Sequence, residues 1–136
     1  MTLAFPIVPI SKILAATVAI VVAVYSSAAL ADNPPDFLRD VRPILAEFCF
    51  QCHGPDGAKR QAGLRLDRRE STVARLESGA IAIQPGNAGE SALELRIEST
   101  DPGVVMPPPE IKRQLSAEQQ QLLRRWIEFA APFSSC

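Results

Sequence analysis

Cys49-Phe50-Gln51-Cys52-His53 is the stretch on which the reading of this chain turns. Two cysteines three positions apart on a helical turn project from one face, with a histidine directly after them. Thiols at that spacing can add across the two vinyl groups of a haem. The adjacent imidazole then sits under the iron with a ring nitrogen free to bind it. The pattern points to a covalently held iron porphyrin that the polypeptide tunes and insulates. Two rival uses compete for the same residues. A zinc site would draw on Cys49, Cys52 and His53 but lacks a second pair of ligands, which Cys136 alone does not complete. A thioredoxin-like redox motif needs a strand before its active helix, whereas an amphipathic helical pattern stands there.

Upstream, the run from Ile13 to Tyr25 is almost wholly apolar, Lys12 precedes it, and Ala29-Leu30-Ala31 follows as a small-x-small cleavage site. That order reads as a secretory signal peptide over residues 1–31, with Asp32 the first mature residue. The uncharged stretch 13–31 approaches the length that spans a bilayer, so an uncleaved anchor is the alternative and the one route by which this chain would meet a membrane. Residues 32–136 are then an exported domain, periplasmic or otherwise extracytoplasmic, and their number suits a single domain. The chain has 14 Lys and Arg against 15 Asp and Glu, so no basic excess marks it for nucleic acid. Two of its three cysteines belong to the C-x-x-C-H motif. Cys136 is left alone in an oxidising compartment, where it links two chains through a disulfide, is capped, or dangles without a role.

Downstream of the leader the pattern is all-α. A first helix is expected from Pro35 to Gln51, with Asn33 as N-cap and Phe37, Val41, Ile44, Leu45 and Phe48 on one apolar face. Pro43 either kinks this helix or lies in the first turn of its regular part, beginning near Arg42. Residues 54–63 read as a loop, 68–78 as a short helix closed by Gly79, and 80–84 as a brief extended run before Pro85-Gly86. Ser91 and Glu94 form a capping-box pair opening a helix through Ser99. The segment DPGVVMPPPE, residues 101–110, is a stiff non-helical loop. Ser116 and Gln119 open a last helix, with Leu122, Leu123, Trp126, Ile127 and Ala130 on one face. That stripe is most simply core, packed against Phe37, Val41 and Phe48; the alternative for the Trp126 indole N–H is a haem propionate.

An electron-transfer haem takes two axial ligands, and the choice is narrow. His53 is the sole histidine, and Met106 is the sole methionine beyond Met1. A His/Met pair is the soft-ligand combination that raises the potential of c-type haems. Prolines 107 to 109 would hold the Met106 thioether on a rigid loop, limiting the entropy lost on ligation. The alternatives are an ordinary packing methionine, a five-coordinate iron, or Lys59 or Lys112 as sixth ligand. Arg65, Arg68, Arg69 and Lys59 read as solvated charges, with pairing to propionates or docking of an acidic partner as the alternative.

The segments FLRDVRPILAEFCFQCHGPD, GLRLDRRE, PGNAGESAL, MPPP and LSAEQQQLLRRWIEFAA, in that order, resemble the planctomycete-type cytochrome c domain from Asp36 to Ala131. The resemblance implies a small class I-like cytochrome c fold. Haem would be attached at Cys49 and Cys52, with His53 as proximal and Met106 as distal ligand. Such domains usually lead larger exported proteins, so the sequence reads here as a stand-alone carrier or a truncated reading frame. Ala130 stands where the family tends to have glycine.

The functional expectation is a monohaem c-type cytochrome. One covalent haem c per chain would pass single electrons to and from redox partner proteins. No general base, nucleophile constellation or second metal site suggests a self-contained enzyme. A haem-based sensor or gas-binding module with a labile or absent sixth ligand is the alternative.

Overall fold

A computed structural model describes residues 33–133, so the leader segment and Cys136 lie outside the described residues. Within them the regular secondary structure is helical apart from one isolated antiparallel bridge between Arg75 and Ile81, and no helix is long and apolar enough to cross a membrane. The fold is thus helix-rich with almost no strand, as an all-α chain should be.

The first helical segment starts at Asp36 rather than Asn33. Its carboxylate accepts from the Arg39 N–H at 2.8 Å, and the Asp40 carboxylate reaches back to the Asp36 N–H at 2.9 Å. A π-helical turn, Phe37–Val41, leads into α1, Arg42–Phe48, with Pro43 in its first turn. A proline ring clashes with the carbonyl four residues back in an uninterrupted α-helix, and the wider π turn relieves that clash. The helix does not run on to Gln51. It breaks at Cys49, whose φ is −124°, and resumes as the single turn α2, Phe50–His53.

Helix α3 spans only Arg69–Val73, because Ala74 turns extended and the chain doubles back through Gly79 at φ +85°. The Ile83 N–H then donates to the Thr72 carbonyl at 2.9 Å, stitching the extended run 80–84 to the end of α3. Helix α4 is Ala92–Ile97, and α5 is Ala117–Glu128. Between them the proline loop is free of α-helix but tightens into a 3₁₀ turn at Pro109–Ile111.

The expected capping box opens α5. Ser116 Oγ accepts from the Gln119 N–H, and the Gln119 side chain accepts from the Ser116 N–H. Its C-terminus closes with the Ala131 N–H on the Trp126 carbonyl and the Ala130 N–H on the Ile127 carbonyl, both at 2.9 Å. That double bond pattern calls for a left-handed residue after the C-cap. Ala130 supplies it at φ +65° and is exposed, so it leaves the apolar stripe to which periodicity assigned it.

Val41, Leu45, Ile83, Leu123, Trp126 and Ile127 are fully buried and form the core centre. Trp126 stacks on Phe37 with ring centroids 5.7 Å apart and meets the edge of Phe133 at 5.1 Å. Its indole N–H donates to the Pro132 carbonyl at 3.1 Å. An indole has one donor, so Trp126 has none left for a propionate.

Candidate haem site

The cysteine-bearing turn is held from both ends. The Cys49 N–H donates to the Leu45 carbonyl at 2.9 Å, and the His53 N–H donates to the Cys49 carbonyl at 2.8 Å. Beyond His53 the chain must turn at once. A Cβ on Gly54 would lie 2.4 Å from the Phe50 carbonyl oxygen, so only glycine fits. The following loop folds back on α2, with the Gln61 N–H on the Cys52 carbonyl at 2.7 Å and the Leu66 N–H on the His53 carbonyl at 2.9 Å. Carbonyls that a short helix leaves unpaired at its end are thereby satisfied. Arg60 straps the loop from outside through the Gly54 and Pro55 carbonyls.

Cys49, Cys52, His53 and Met106 all border one cavity of about 490 Å³. Its walls are mainly apolar, with Leu64, Leu66, Leu93, Ile97 and Ile111 among them. That volume lies within the range usual for small-molecule and cofactor sites. Met106 reaches the cavity on a fixed loop. Its N–H donates to the Arg96 carbonyl of α4 at 3.0 Å, and the Pro107 carbonyl accepts from Gln114 Nε2 at 2.9 Å. The sequence therefore named four residues that long-range folding brings to a common wall.

Electrostatics around the turn favour a neutral donor set. Burial pushes the His53 imidazole below its ordinary value, and the nearby Arg96 charge adds to this while the Gln61 backbone opposes it. A neutral ring keeps a lone pair for a metal. His53 Nδ1 is buried without a hydrogen-bond partner, a cost of about 1–3 kcal/mol for a polar group left unsatisfied. Burial, with a contribution from Cys52, pushes the Cys49 thiol up to about 12. A reactive redox cysteine has a depressed thiol pKa, so this environment opposes the thioredoxin-like reading. Among the described residues no three His, Cys, Asp or Glu side chains gather to hold an ion. Apolar walls, paired thiols on one turn and a neutral, partly orphaned imidazole do suit a haem.

One charged side chain lining the cavity went unread in the sequence. Arg96 is exposed yet contributes to the wall, so it stands at the cavity mouth. The cations considered from sequence do not line this cavity. Arg65 pairs with Asp67, Lys59 with Asp56 and Arg68 with Glu70. Nothing local distinguishes Arg96 from these, since its position depends on how α4 packs.

The Ser91-Glu94 pair also departs from expectation. Ser91 is the N-cap of α4 by backbone geometry, but its side chain caps nothing there. The hydroxyl accepts from the Gln84 N–H and donates to the Asn87 carbonyl, each at 2.9 Å. Glu94 turns inward and is fully buried. Its Oε1 accepts from Arg124 Nη1 of α5 at 3.5 Å, while Oε2 is buried without a partner. Tertiary packing has taken both halves of a local signal.

The class these features define is that of c-type cytochrome domains, in which a helical frame closes around a haem held by its own cysteines. The family model described as Planctomycete cytochrome C matches residues 49–110, a span that includes Cys49, Cys52, His53 and Met106, so the chain is similar to that family over that span. No curated protein and no solved structure matched the chain.

Proposed function

We propose that this chain is a monohaem c-type cytochrome of class I-like fold, relaying one electron at a time between redox partner proteins outside the cytoplasm. The observation that carries the reading is the convergence of Cys49, Cys52, His53 and Met106 on one apolar cavity. A haem bound there supplies reversible one-electron chemistry at its iron. Cys49 and Cys52 hold it through thioether bonds, and one such motif per chain implies one haem. His53 ligates through a ring nitrogen and Met106 through its thioether. The leucine and isoleucine walls exclude water, which favours the less charged, reduced state and works with the soft methionine to raise the potential. Arg96, the cation at the mouth, pairs with a propionate carboxylate. The role is that of a relay rather than a self-contained catalyst. Export rests on the leader segment, with a membrane tether if it stays uncleaved and a Cys136-linked dimer if that thiol is oxidised.

The decisive experiment is a pyridine haemochrome spectrum of protein exported with a c-type maturation system, beside the Cys49→Ala/Cys52→Ala variant. The reading expects a c-type spectrum that survives denaturation in the parent and vanishes in the variant. A colourless parent protein, matured competently, would refute it. His53→Ala should abolish the low-spin spectrum. Met106→Ala should keep the haem but lose the thioether-to-ferric charge-transfer absorbance and admit an external sixth ligand. An unchanged spectrum in Met106→Ala would strike that residue from the ligand set.

A further inference from the structure

The geometry points to Glu94 as a proton-binding site coupled to the haem: its carboxylate takes up a proton as the haem gains an electron and releases it on oxidation. The inference rests on the haem reading above. Its basis is a mismatch of charge. Arg124 faces three carboxylates at once, Glu94 at 3.5 Å, Glu98 at 3.3 Å and Glu128 at 3.2 Å. Glu98 and Glu128 are about half exposed at 49%, so water solvates them as well. The Glu94 side chain is 1% exposed and has one oxygen with no partner at all. A single shared guanidinium does not offset that desolvation, so this carboxylate is the one that gives way to a proton.

The groups facing Glu94 are few. Glu98 lies on its own helix, and Arg124, which also pairs with Glu128, comes from α5. The 3₁₀ turn Ala88–Glu90, which also packs on α4, offers only Glu90, and that residue is exposed. Burial first, and then the Glu98 charge, raise the Glu94 pKa to about 7, against the opposing pull of Arg124. Proton exchange at this carboxylate therefore falls near neutral pH.

The link to the haem is α4 itself. Leu93, Arg96 and Ile97 of this short helix line the cavity while Glu94 serves the α5 side. A one-electron donor, whether a partner protein or an electrode mediator, reduces ferric to ferrous iron by one electron, lowering the site's charge by one. Glu94 –COO⁻ then takes one H⁺ from water and becomes –COOH, and oxidation reverses both transfers. Linkage requires the effect to be mutual, so proton affinity at Glu94 and electron affinity at the iron change by the same factor. Screening across a helix in a medium of intermediate dielectric makes that factor roughly three- to tenfold.

Spectroelectrochemical titration of the full-length holoprotein between about pH 5 and pH 9 tests this, across the ordinary carboxylate and histidine ranges. Wild type should show a potential that falls with rising pH through a wave centred near 7. Glu94→Gln, close in shape and permanently neutral, should abolish that wave. Glu98→Gln alters a half-exposed side chain and should move the wave to lower pH, which keeps the test decisive if Glu94→Gln folds poorly. A wild-type potential independent of pH, a wave that persists in Glu94→Gln, or one unmoved in Glu98→Gln would overturn the coupling while leaving a haem spectrum intact. Absence of covalent haem would instead overturn the underlying reading and the coupling with it.

Discussion

Gly54 and Ala130 make opposite demands on a single methyl group. At Gly54 a Cβ has nowhere to go, since it would meet backbone rather than a flexible side chain. Gly54→Ala should therefore cost about 2 kcal/mol, in the range of overpacked sites, and urea denaturation would register it. Ala130 carries a Cβ where the left-handed backbone would be better without one. Ala130→Gly relieves about 1–2 kcal/mol of strain but gives back part of it through a freer unfolded chain. A net gain of about 0.5–1 kcal/mol is expected, read as a raised thermal midpoint. At this scale the sequence was generous wherever chemistry is carried by residue identity at short spacing. Cys49, Cys52 and His53 are neighbours in the chain, and Met106 stands out as the sole methionine beyond Met1, set before a run of prolines. Arg96 is one arginine among many, and only the packing of α4 brings it to the cavity.

Helix starts show how far a local signal reaches. Ser116-Gln119 and Ser91-Glu94 are the same pattern, and only the exposed one forms the expected box. Where the start is buried, the core competes for its polar groups and local hydrogen bonding loses. The consequence is measurable. Ser116→Ala should cost about 1 kcal/mol, as N-cap losses do. Ser91→Ala should cost about 2 kcal/mol, because it removes a hydroxyl on a fully buried residue together with its hydrogen bonds to the Gln84 N–H and the Asn87 carbonyl. Equal losses from chemical denaturation would mean the buried hydroxyl bonds matter no more than an exposed cap. The ends of α1 and α3 were illegible for a related reason. Cys49 breaks the first where the cysteine-bearing turn begins, and the pairing of Ile83 with Thr72 ends the second. Neither contact is visible in a window of sequence.

For the whole molecule, the buried carboxylate sets a slope of stability against pH. Glu94 ionises at about 4.5 when unfolded but at about 7 when folded. Between those values the unfolded chain has already released a proton that the native state retains, so stability falls as pH rises and levels off above 7. The loss is on the order of 3 kcal/mol, and Glu94→Gln should remove it. Denaturation of wild type and variant at pH 5 and pH 8 compares the two ends of that window. Helix content was readable from periodicity; the carboxylate cluster was not, because α4 and α5 meet only through the tertiary fold. The aromatic cluster around Trp126 reaches beyond stability. Phe37 and Phe133, near opposite ends of the described residues, have ring centroids 4.4 Å apart. Entry and exit therefore share one doorway, and a unit with such a doorway can be spliced into a surface loop of a host protein without prying the host apart.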